Sequence, residues 1–256
     1  MILEDIIAAA DLRAADAASS RDALARRAAS APEHRSLAAA LRGPGLSVIA
    51  EIKRRSPSAG AIDPDLDPAT LARRYERGGA SAISVLTEPE FFGGSLADLE
   101  SVRGAVDVPV LRKDFTRNAA QIWEARASGA DAVLLIVATL SDATLADLIA
   151  EANDVGVDAI VEAHTIPEVL RAGGAGAKII GVNNRDLTTF TTDLSVAETS
   201  ADAMPSDVVR IAESGVSSRQ GAARMRAAGY DAILVGEALV RHRDPMRFVA
   251  ELAGVA

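Results

Sequence analysis

Eight short runs of Val, Ile, Leu and Ala recur along this 256-residue chain, and stretches with helical character separate them. Such apolar runs, without strict alternation of polar residues, are typical of parallel strands buried on both faces. The predicted strands cover 48–52, 82–86, 108–113, 132–137, 159–163, 179–183, 208–214 and 232–236. Helices are predicted over 68–77, 119–128, 141–153 and 218–228, and a last helix begins at Pro245 after Asp244 as its N-cap.

This alternation predicts an α/β fold in which each strand is followed by a helix. Eight such units over about 200 residues match the count and size of a (β/α)8 TIM barrel. A doubly wound open sheet alternates in the same way and is the rival architecture. Polar residues end nearly every predicted strand, rather than collecting at one crevice, and this distribution favours the barrel.

Residues 1–47 precede the first strand and form an N-terminal helical extension of the predicted barrel. Ile2, Leu3, Ile6 and Ile7 form one apolar stripe, and a second apolar set lies in alanine-rich surroundings at Leu24, Leu37 and Leu41. The extension either covers a functional site or packs as a structural cap. Because no linker-like composition interrupts the chain, we expect one domain over 1–256, with the barrel at 48–256.

Composition excludes several classes of function. The chain has no cysteine, so it has neither a disulfide nor a thiol nucleophile. A net charge of −9 argues against a broad nucleic-acid or anionic-membrane surface, although it permits a small anionic substrate. No apolar run approaches the length of a membrane span, and the N-terminus is acidic where an export signal would be basic. We therefore expect a cytoplasmic protein, a monomer or weak homo-oligomer, with no nucleic-acid or membrane partner.

Charged and polar residues collect at the carboxyl ends of the predicted strands. They are Glu51, Lys53, Lys113, Glu162, Asn183, Glu213 and Ser214. In a closed barrel these ends surround one mouth, where active sites of this fold lie. Opposed charges held close together can shift pKa values toward those suited to acid and base catalysis. The alternatives are a surface ion pair for Glu51 and Lys53, and a polar plug of ion pairs for the whole set.

The loops after the last two strands predict a phosphate-binding site. Gly215 and Gly236 each follow a strand, where the backbone N–H groups can approach an anion closely. Glu237 begins a predicted helix, and its N–H can face the phosphate while its side chain points away. Ser56, after the first strand, can donate its hydroxyl to the same phosphate. Phe92 either stacks on an aromatic ligand or packs in the core.

The three histidines are weaker candidates for the functional site than the residues at the strand ends. His164 follows Glu162 by two residues, and it is expected to be structural or to support the site indirectly. His34 and His242 are expected to be solvated. No His, Asp and Glu spacing indicates a metal site.

Together these motifs identify the chain as resembling the indole-3-glycerol phosphate synthase family over essentially its whole length. The matching segments are EIKRRSPS (51–58), LTEP (86–89) followed by Phe92, LRKDF (111–115), LLI (134–136), VEAH (161–164), GVNNRDL (181–187), ESG (213–215) and VGEAL (235–239). The resemblance implies that 1-(2-carboxyphenylamino)-1-deoxyribulose 5-phosphate closes to indole-3-glycerol phosphate with loss of CO₂ and water. It implies no cofactor and no metal. Ala59 departs from the family, in which many members carry lysine, and this puts the loop's contribution to affinity in doubt.

The resemblance also implies roles for individual residues. Lys113 resembles the general acid, Glu162 the general base of the later dehydration, and Lys53, paired with Glu51, the lysine that meets the substrate carboxylate and serves as a second acid. Asn183, Arg185, Glu213 and Ser214 match positioning residues, and Ser56, Gly215 and Gly236 match the phosphate grip. A different phosphosugar barrel, such as an Amadori-type isomerase, and a non-catalytic phosphometabolite-binding subunit remain as alternatives.

Overall fold

The computed structural model describes residues 2–187 and 189–255. Eight parallel strands form a closed barrel in which the first strand pairs with both the second and the eighth. The strands are Ser47–Ile52, Ala82–Leu86, Val110–Lys113, Ala132–Ile136, Asp158–Ala163, Ile179–Asn183, Val209–Glu213 and Ala232–Val235. The pairing of Ser47 with Ala232 closes the sheet, which confirms the barrel and excludes the open sheet.

Several strand boundaries differ from the prediction, and each difference has a local cause. The third strand begins at Val110 rather than at 108, because Pro109 has no N–H to donate to a neighbouring strand. The seventh strand ends at Glu213, because Ser214 adopts a left-handed backbone with φ 64°. The eighth strand ends at Val235, because Gly236 leaves the extended conformation with φ −117° and ψ −86°.

Helices lie before the first strand and after each strand of the barrel. They are Ile2–Ser19, Arg21–Ala29, Leu37–Ala40, Pro68–Arg77, Pro89–Phe92, Leu96–Arg103, Ala119–Ala127, Asp142–Val155, Ile166–Gly174, Ser195–Ser200, Arg219–Ala227, Glu237–Val240 and Pro245–Ala253. The predicted N-cap Asp244 accepts a hydrogen bond from the backbone N–H of Arg247. The prediction did not place Leu96–Arg103 and Ile166–Gly174, although Ser95 and Thr165 cap their first turns.

The barrel packs apolar residues on both sides of its strands. Outward-facing residues such as Val48, Ala50 and Ile52 pack against the surrounding helices. Inward-facing residues such as Ile49 and Ile160 form a separate interior cluster. The apolar interior cluster fills the barrel below the carboxyl ends, so the polar residues at those ends lie above an apolar floor.

The N-terminal extension reaches both ends of the barrel. At the carboxyl end, Arg13 of the first helix donates to Glu88 at 3.1 Å and to Asp114 at 3.2 Å. At the amino end, Leu37 and Leu41 are fully buried within the interior cluster. The extension therefore supplies both a cover and a packed plug, so the two expectations apply to different parts of it. Within the described ranges, no helix has the length and apolarity to cross a membrane.

Candidate active site

A cavity of about 480 Å³ opens at the carboxyl ends of the strands. Every residue predicted for the site lines this cavity: Glu51, Lys53, Ser56, Phe92, Lys113, Glu162, Asn183, Arg185, Glu213, Ser214, Gly215, Gly236 and Glu237. Ile2, Leu3 and Ile6 of the first helix also line it, and they give it an apolar cover. The cavity size suits a small organic ligand.

Lys113 occupies the centre of the charged cluster. Its Nζ lies 3.2 Å from Glu162 Oε2 and 3.2 Å from Glu213 Oε2. These three residues come from the third, fifth and seventh strands. They meet because inward-facing residues of alternate strands lie in the same layer of this fold. The lysine is therefore held between two carboxylates, and the side chains of Glu162 and Glu213 are almost completely buried.

The charges in this cluster determine its protonation. Burial alone would lower the pKa of Lys113, but Glu213, Glu162 and Glu51 outweigh burial and raise it above its ordinary value. Burial alone would raise the pKa of Glu162, but Lys113 and His164 outweigh burial and hold it well below its ordinary value. The resting site thus contains a protonated ammonium beside an ionised carboxylate, which are the states required of an acid and a base.

Glu213 differs from Glu162 in its electrostatic environment. Burial and the neighbouring carboxylate of Glu162 raise the pKa of Glu213 to about 7, against the attraction of Lys113. Gly181 makes room for this side chain, since a Cβ at position 181 would collide with Glu213 Oε1. A glycine inside a buried strand is a signal of such close approach, and the sequence interpretation missed it.

Glu51 and Lys53 form a second ion pair on the cavity wall. Lys53 Nζ lies 2.7 Å from Glu51 Oε1, and both side chains are largely buried. Burial opposes ionisation of Glu51, but Lys53 and Lys113 hold its pKa below the ordinary value. A Cβ at Gly236 would collide with Glu51 Oε1 and lie 3.2 Å from Lys53 Nζ. The pair is therefore not a surface ion pair, and Gly236 provides the space that it occupies.

Glu162 is oriented from three directions. In addition to Lys113 at Oε2, its Oε1 accepts a hydrogen bond from Asn183 Nδ2 at 3.2 Å and lies 3.3 Å from His164 Nε2. The ring of His164 reaches the carboxylate of the residue two positions earlier, although the fifth strand ends at Ala163. Residues i and i+2 of a strand share a face, so this contact continues the alternation of the strand.

The loops near the predicted phosphate site hold several hydroxyl and cationic groups. Ser56 Oγ accepts the backbone N–H of Ala59 at 3.2 Å and lies 3.3 Å from Ser58 Oγ. Arg185 donates to Ser58 Oγ at 2.6 Å, so the loops after the first and sixth strands meet. Glu237 Oε1 accepts from Arg241 Nε at 3.0 Å, which compensates the negative charge of Glu237.

Asn184 supports the loop that carries Ser214 and Gly215. Its Nδ2 donates to the carbonyl oxygens of Glu213 at 3.0 Å and Ser214 at 3.1 Å. Its Oδ1 accepts the backbone N–H of Ala197 at 2.9 Å. These bonds brace the left-handed backbone of Ser214, for which φ is 64°. The sequence interpretation did not assign this role, because the two bonds to the Ser214 loop join residues 29 and 30 positions apart.

The structure also gives the surroundings of Phe92, His242 and His34. Phe92 is half-buried on the cavity wall. His242 is exposed, as expected, but His34 is half-buried and its Nε2 lies 3.1 Å from the carbonyl oxygen of Asp131, so the expectation for His34 is wrong. Among residues 2–187 and 189–255, no group of three or more His, Cys, Asp or Glu side chains is arranged to hold a metal ion.

Comparisons with known proteins show which family the chain resembles. The sequence model of the family described as Indole-3-glycerol phosphate synthase matches residues 3–252. A protein of that name from Streptomyces griseus subsp. griseus is 52% identical over 253 residues, covering 98% of this chain and 94% of the relative. Another from Micrococcus luteus is 56% identical over 227 residues, covering 87% of this chain and 85% of the relative.

Solved structures with lower sequence identity share the fold. Thiamine phosphate pyrophosphorylase from Pyrococcus furiosus has a TM-score of 0.62 at 19% identity, covering 81% of this chain and 93% of that one. The N-acetylmannosamine-6-phosphate 2-epimerase from Clostridium perfringens has a TM-score of 0.63 at 13% identity, with the same coverage. At these identities the likeness concerns the barrel alone.

Proposed function

This chain belongs to the indole-3-glycerol phosphate synthase family, and from that premise we propose how its cavity performs the reaction. The enzyme is a carboxy-lyase of tryptophan biosynthesis that acts on a small phosphorylated substrate. It converts 1-(2-carboxyphenylamino)-1-deoxyribulose 5-phosphate to indole-3-glycerol phosphate, CO₂ and water. The observation that carries the residue assignment is the position of Lys113 between Glu162 and Glu213 on the cavity.

Ring closure is the first step and requires an acid. A bond forms between the ring carbon that bears the carboxylate and the carbonyl carbon of the ribulose chain. Lys113 donates its proton to the carbonyl oxygen, which becomes a hydroxyl group. The two flanking carboxylates keep Lys113 protonated before this step, so the proton is present when the substrate arrives.

Decarboxylation follows and needs little further catalysis. The electron pair of the broken carbon–carbon bond returns to the ring, and CO₂ leaves. Lys53 meets the substrate carboxylate in this proposal, which is supported by its position on the cavity wall and its ion pair with Glu51. Anchoring the carboxylate at one end and the phosphate at the other holds the two reacting carbons close together.

Dehydration completes the indole and requires an acid and a base. The hydroxyl group leaves as water with a proton from Lys53, and Glu162 accepts the proton that the new five-membered ring loses. After Lys113 has given up its proton, Glu162 no longer faces an ammonium group. Its pKa then rises, so it becomes a stronger base at the step that needs one.

Substrate positioning falls to the remaining residues. Asn183 orients Glu162, and Ser214 and Arg185 position the substrate chain. Phe92 contacts the anthranilate ring. Ser56 and the backbone N–H groups of Gly215, Gly236 and Glu237 grip the phosphate, at the loops where this fold commonly binds one. The molecule works as one barrel domain with its N-terminal extension, in the cytoplasm, as a monomer or weak homo-oligomer.

A direct assay tests the function. The purified chain is incubated with the carboxyphenylamino substrate, and the fluorescence of the indole product is followed. The proposal expects saturable product formation with one equivalent of CO₂ released per indole formed. Absence of both products from a folded sample would overturn it.

A further inference from the structure

His164 lies between two carboxylates, one at the active site and one outside it. Its Nε2 is 3.3 Å from Glu162 Oε1, and its Nδ1 is 3.4 Å from Glu168 Oε2. Glu162 lines the cavity and is buried, whereas Glu168 does not line it. The imidazole ring therefore connects the base of the proposed mechanism to a carboxylate on the following helix.

Glu168 is a fixed anchor for the ring. Its Oε2 accepts the backbone N–H of His164 at 2.7 Å, and its own N–H donates to the capping Thr165 at 3.3 Å. Both contacts lie in the first turn of the helix Ile166–Gly174, where the backbone is ordered by the cap. An anchored carboxylate at Nδ1 determines which way the ring points, and so directs Nε2 at Glu162.

Two flanking carboxylates favour a proton on both ring nitrogens. Burial lowers the pKa of His164, but the close carboxylates of Glu162 and Glu168 outweigh burial and raise it to about 10. Other charges near the ring do not reverse this balance. Arg171, on the same helix as Glu168, is paired with Asp142 at 2.6 Å, and Lys113 lies on the far side of Glu162.

The charge of the imidazolium also balances the cluster. In the cluster of Glu51, Lys53, Lys113, Glu162 and Glu213, three carboxylates face two ammonium groups, and further charges of both signs line the outer cavity. An imidazolium at His164 adds a cation to this cluster without occupying the space of the substrate. Buried carboxylates need such compensation to stay ionised.

We propose that His164, anchored by Glu168, is a positioning residue that orients the carboxylate of Glu162 and keeps it ionised for its role as the base. The proposal rests on the function assigned to Glu162 above. It assigns to His164 no direct contact with the substrate. Its effect on the reaction passes through Glu162 alone.

Kinetics of variants test the electrostatic role. In His164→Asn, kcat falls about tenfold, because a charge-assisted contact to Glu162 is lost. KM changes by less than about twofold, since substrate binding is untouched. The acidic limb of the kcat/KM–pH profile that reports Glu162, which lies below the ordinary carboxyl value of 4.5, moves to higher pH by about one unit, because Glu162 becomes easier to protonate. A lower kcat with an unmoved acidic limb would overturn the proposal.

A conservative variant separates charge from packing. Glu168→Gln keeps an oxygen that can accept the backbone N–H of His164 but removes the negative charge at Nδ1. It should move the acidic limb in the same direction by a smaller amount. His34→Asn is the matched control, because His34 contacts the Asp131 carbonyl at the other end of the barrel and should leave the profile unchanged. An unmoved limb in Glu168→Gln would contradict the anchor role.

A measurement without substrate distinguishes this proposal from the proposed function. The chain has three histidines, so their ring Cε1 resonances can be assigned by single substitutions and followed by NMR from pH 5 to 9. His164 should remain protonated through pH 8. Titration of His164 near pH 6.5, the value of a free imidazole, would overturn the proposal whatever the enzyme assay shows.

Discussion

At the amino end of the barrel, Asp131 is fully buried, and its two oxygens accept backbone N–H groups of Arg35 and Val110, each at 2.9 Å. At the carboxyl end, Glu213 is equally buried, but its Oε2 faces the Lys113 ammonium at 3.2 Å. Within the described part of the chain, neither oxygen of Glu213 accepts a well-aligned hydrogen bond. Asp131 is held by two fixed backbone donors and lies 3.5 Å from Arg103 Nη2, whereas among the described residues Glu213 is held by the lysine side chain alone.

The same contrast holds along a single strand. Asp158 begins the fifth strand, and its Oδ2 accepts the backbone N–H groups of Leu37 at 2.6 Å and Ala38 at 3.1 Å, with the Ser36 hydroxyl at 3.4 Å and His34 Nε2 at 3.7 Å as longer contacts. Glu162, near the other end of that strand, contacts only side chains: Lys113, Asn183 and His164. Backbone donors cannot change their protonation, so they suit a structural carboxylate. Side chains that gain and lose protons suit a catalytic one.

The largest expected effect is a loss of turnover when Lys113, at the centre of the charged cluster, is replaced. Lys113→Ala should lower kcat by about 10³-fold, because the proton donor for ring closure is removed. The measurement is steady-state indole fluorescence, with circular dichroism to show that the barrel is intact. Lys178→Ala is the control, since Lys178 is an exposed lysine paired with Asp207. Unchanged kcat in Lys113→Ala would reject Lys113 as the acid.

A smaller loss of turnover is expected for the base. Glu162→Gln should lower kcat by about 10²-fold with little change in KM, because the amide cannot accept the proton. Asp158→Asn, at the opposite end of the same strand, is the matched control and should keep kcat. If Glu162→Gln raised KM and left kcat unchanged, Glu162 would be a binding residue. The difference between Asp158 and Glu162 would then have no bearing on catalysis.

At the amino end the expected effect is on stability instead. Asp131→Asn replaces one acceptor with an NH₂ group that faces a backbone N–H donor. The free energy of unfolding should fall by about 1–3 kcal/mol, measured by urea denaturation, while kcat of the folded protein is retained. A large loss of kcat without loss of stability would break the comparison between the two ends.

The smallest expected effect is a pH dependence of stability from Glu213. Its pKa in the folded protein is about 7, above the ordinary value of 4.5, so between these values the folded protein binds more protons than the unfolded chain. Stability from this residue therefore falls as pH rises from 4.5 to 7. Glu213→Gln should remove that fall, so the free energy of unfolding of the variant relative to the wild type should increase by at least about 1 kcal/mol between pH 5 and pH 8.

The pKa of Glu162 is shifted in the opposite direction from that of Glu213, so its own titration affects stability with the opposite sign. Its folded pKa is lowered, so its contribution to stability is present above 4.5 and is lost only on further acidification. Glu162→Gln should nevertheless make the fall between pH 5 and pH 8 shallower, because it removes the negative charge that raises the pKa values of Glu213 and His164. Equal slopes in Glu213→Gln and the wild type would contradict the raised pKa of Glu213.

Much of the molecule follows from local sequence signals. The barrel was predictable because apolar runs and helical stretches alternate eight times, and each run is short enough to be one strand. The set of residues around the cavity was predictable because the carboxyl ends of parallel strands meet at one rim. The boundaries at Ser214 and Gly236 were not, because they depend on backbone angles that neither residue type dictates.

The sequence by itself determined the order of strands and helices, and which charged residues lie at the carboxyl ends, since periodicity and strand direction are properties of neighbouring residues. Only the tertiary structure decided which charges meet. The contact of His164 with Glu162, the support of Ser214 by Asn184, and the placement of Leu37 and Leu41 as a plug all join groups whose distance depends on strand ends, register and barrel closure. The tertiary structure also decided which side chains carry a proton, because burial and the positions of opposite charges together determine each pKa.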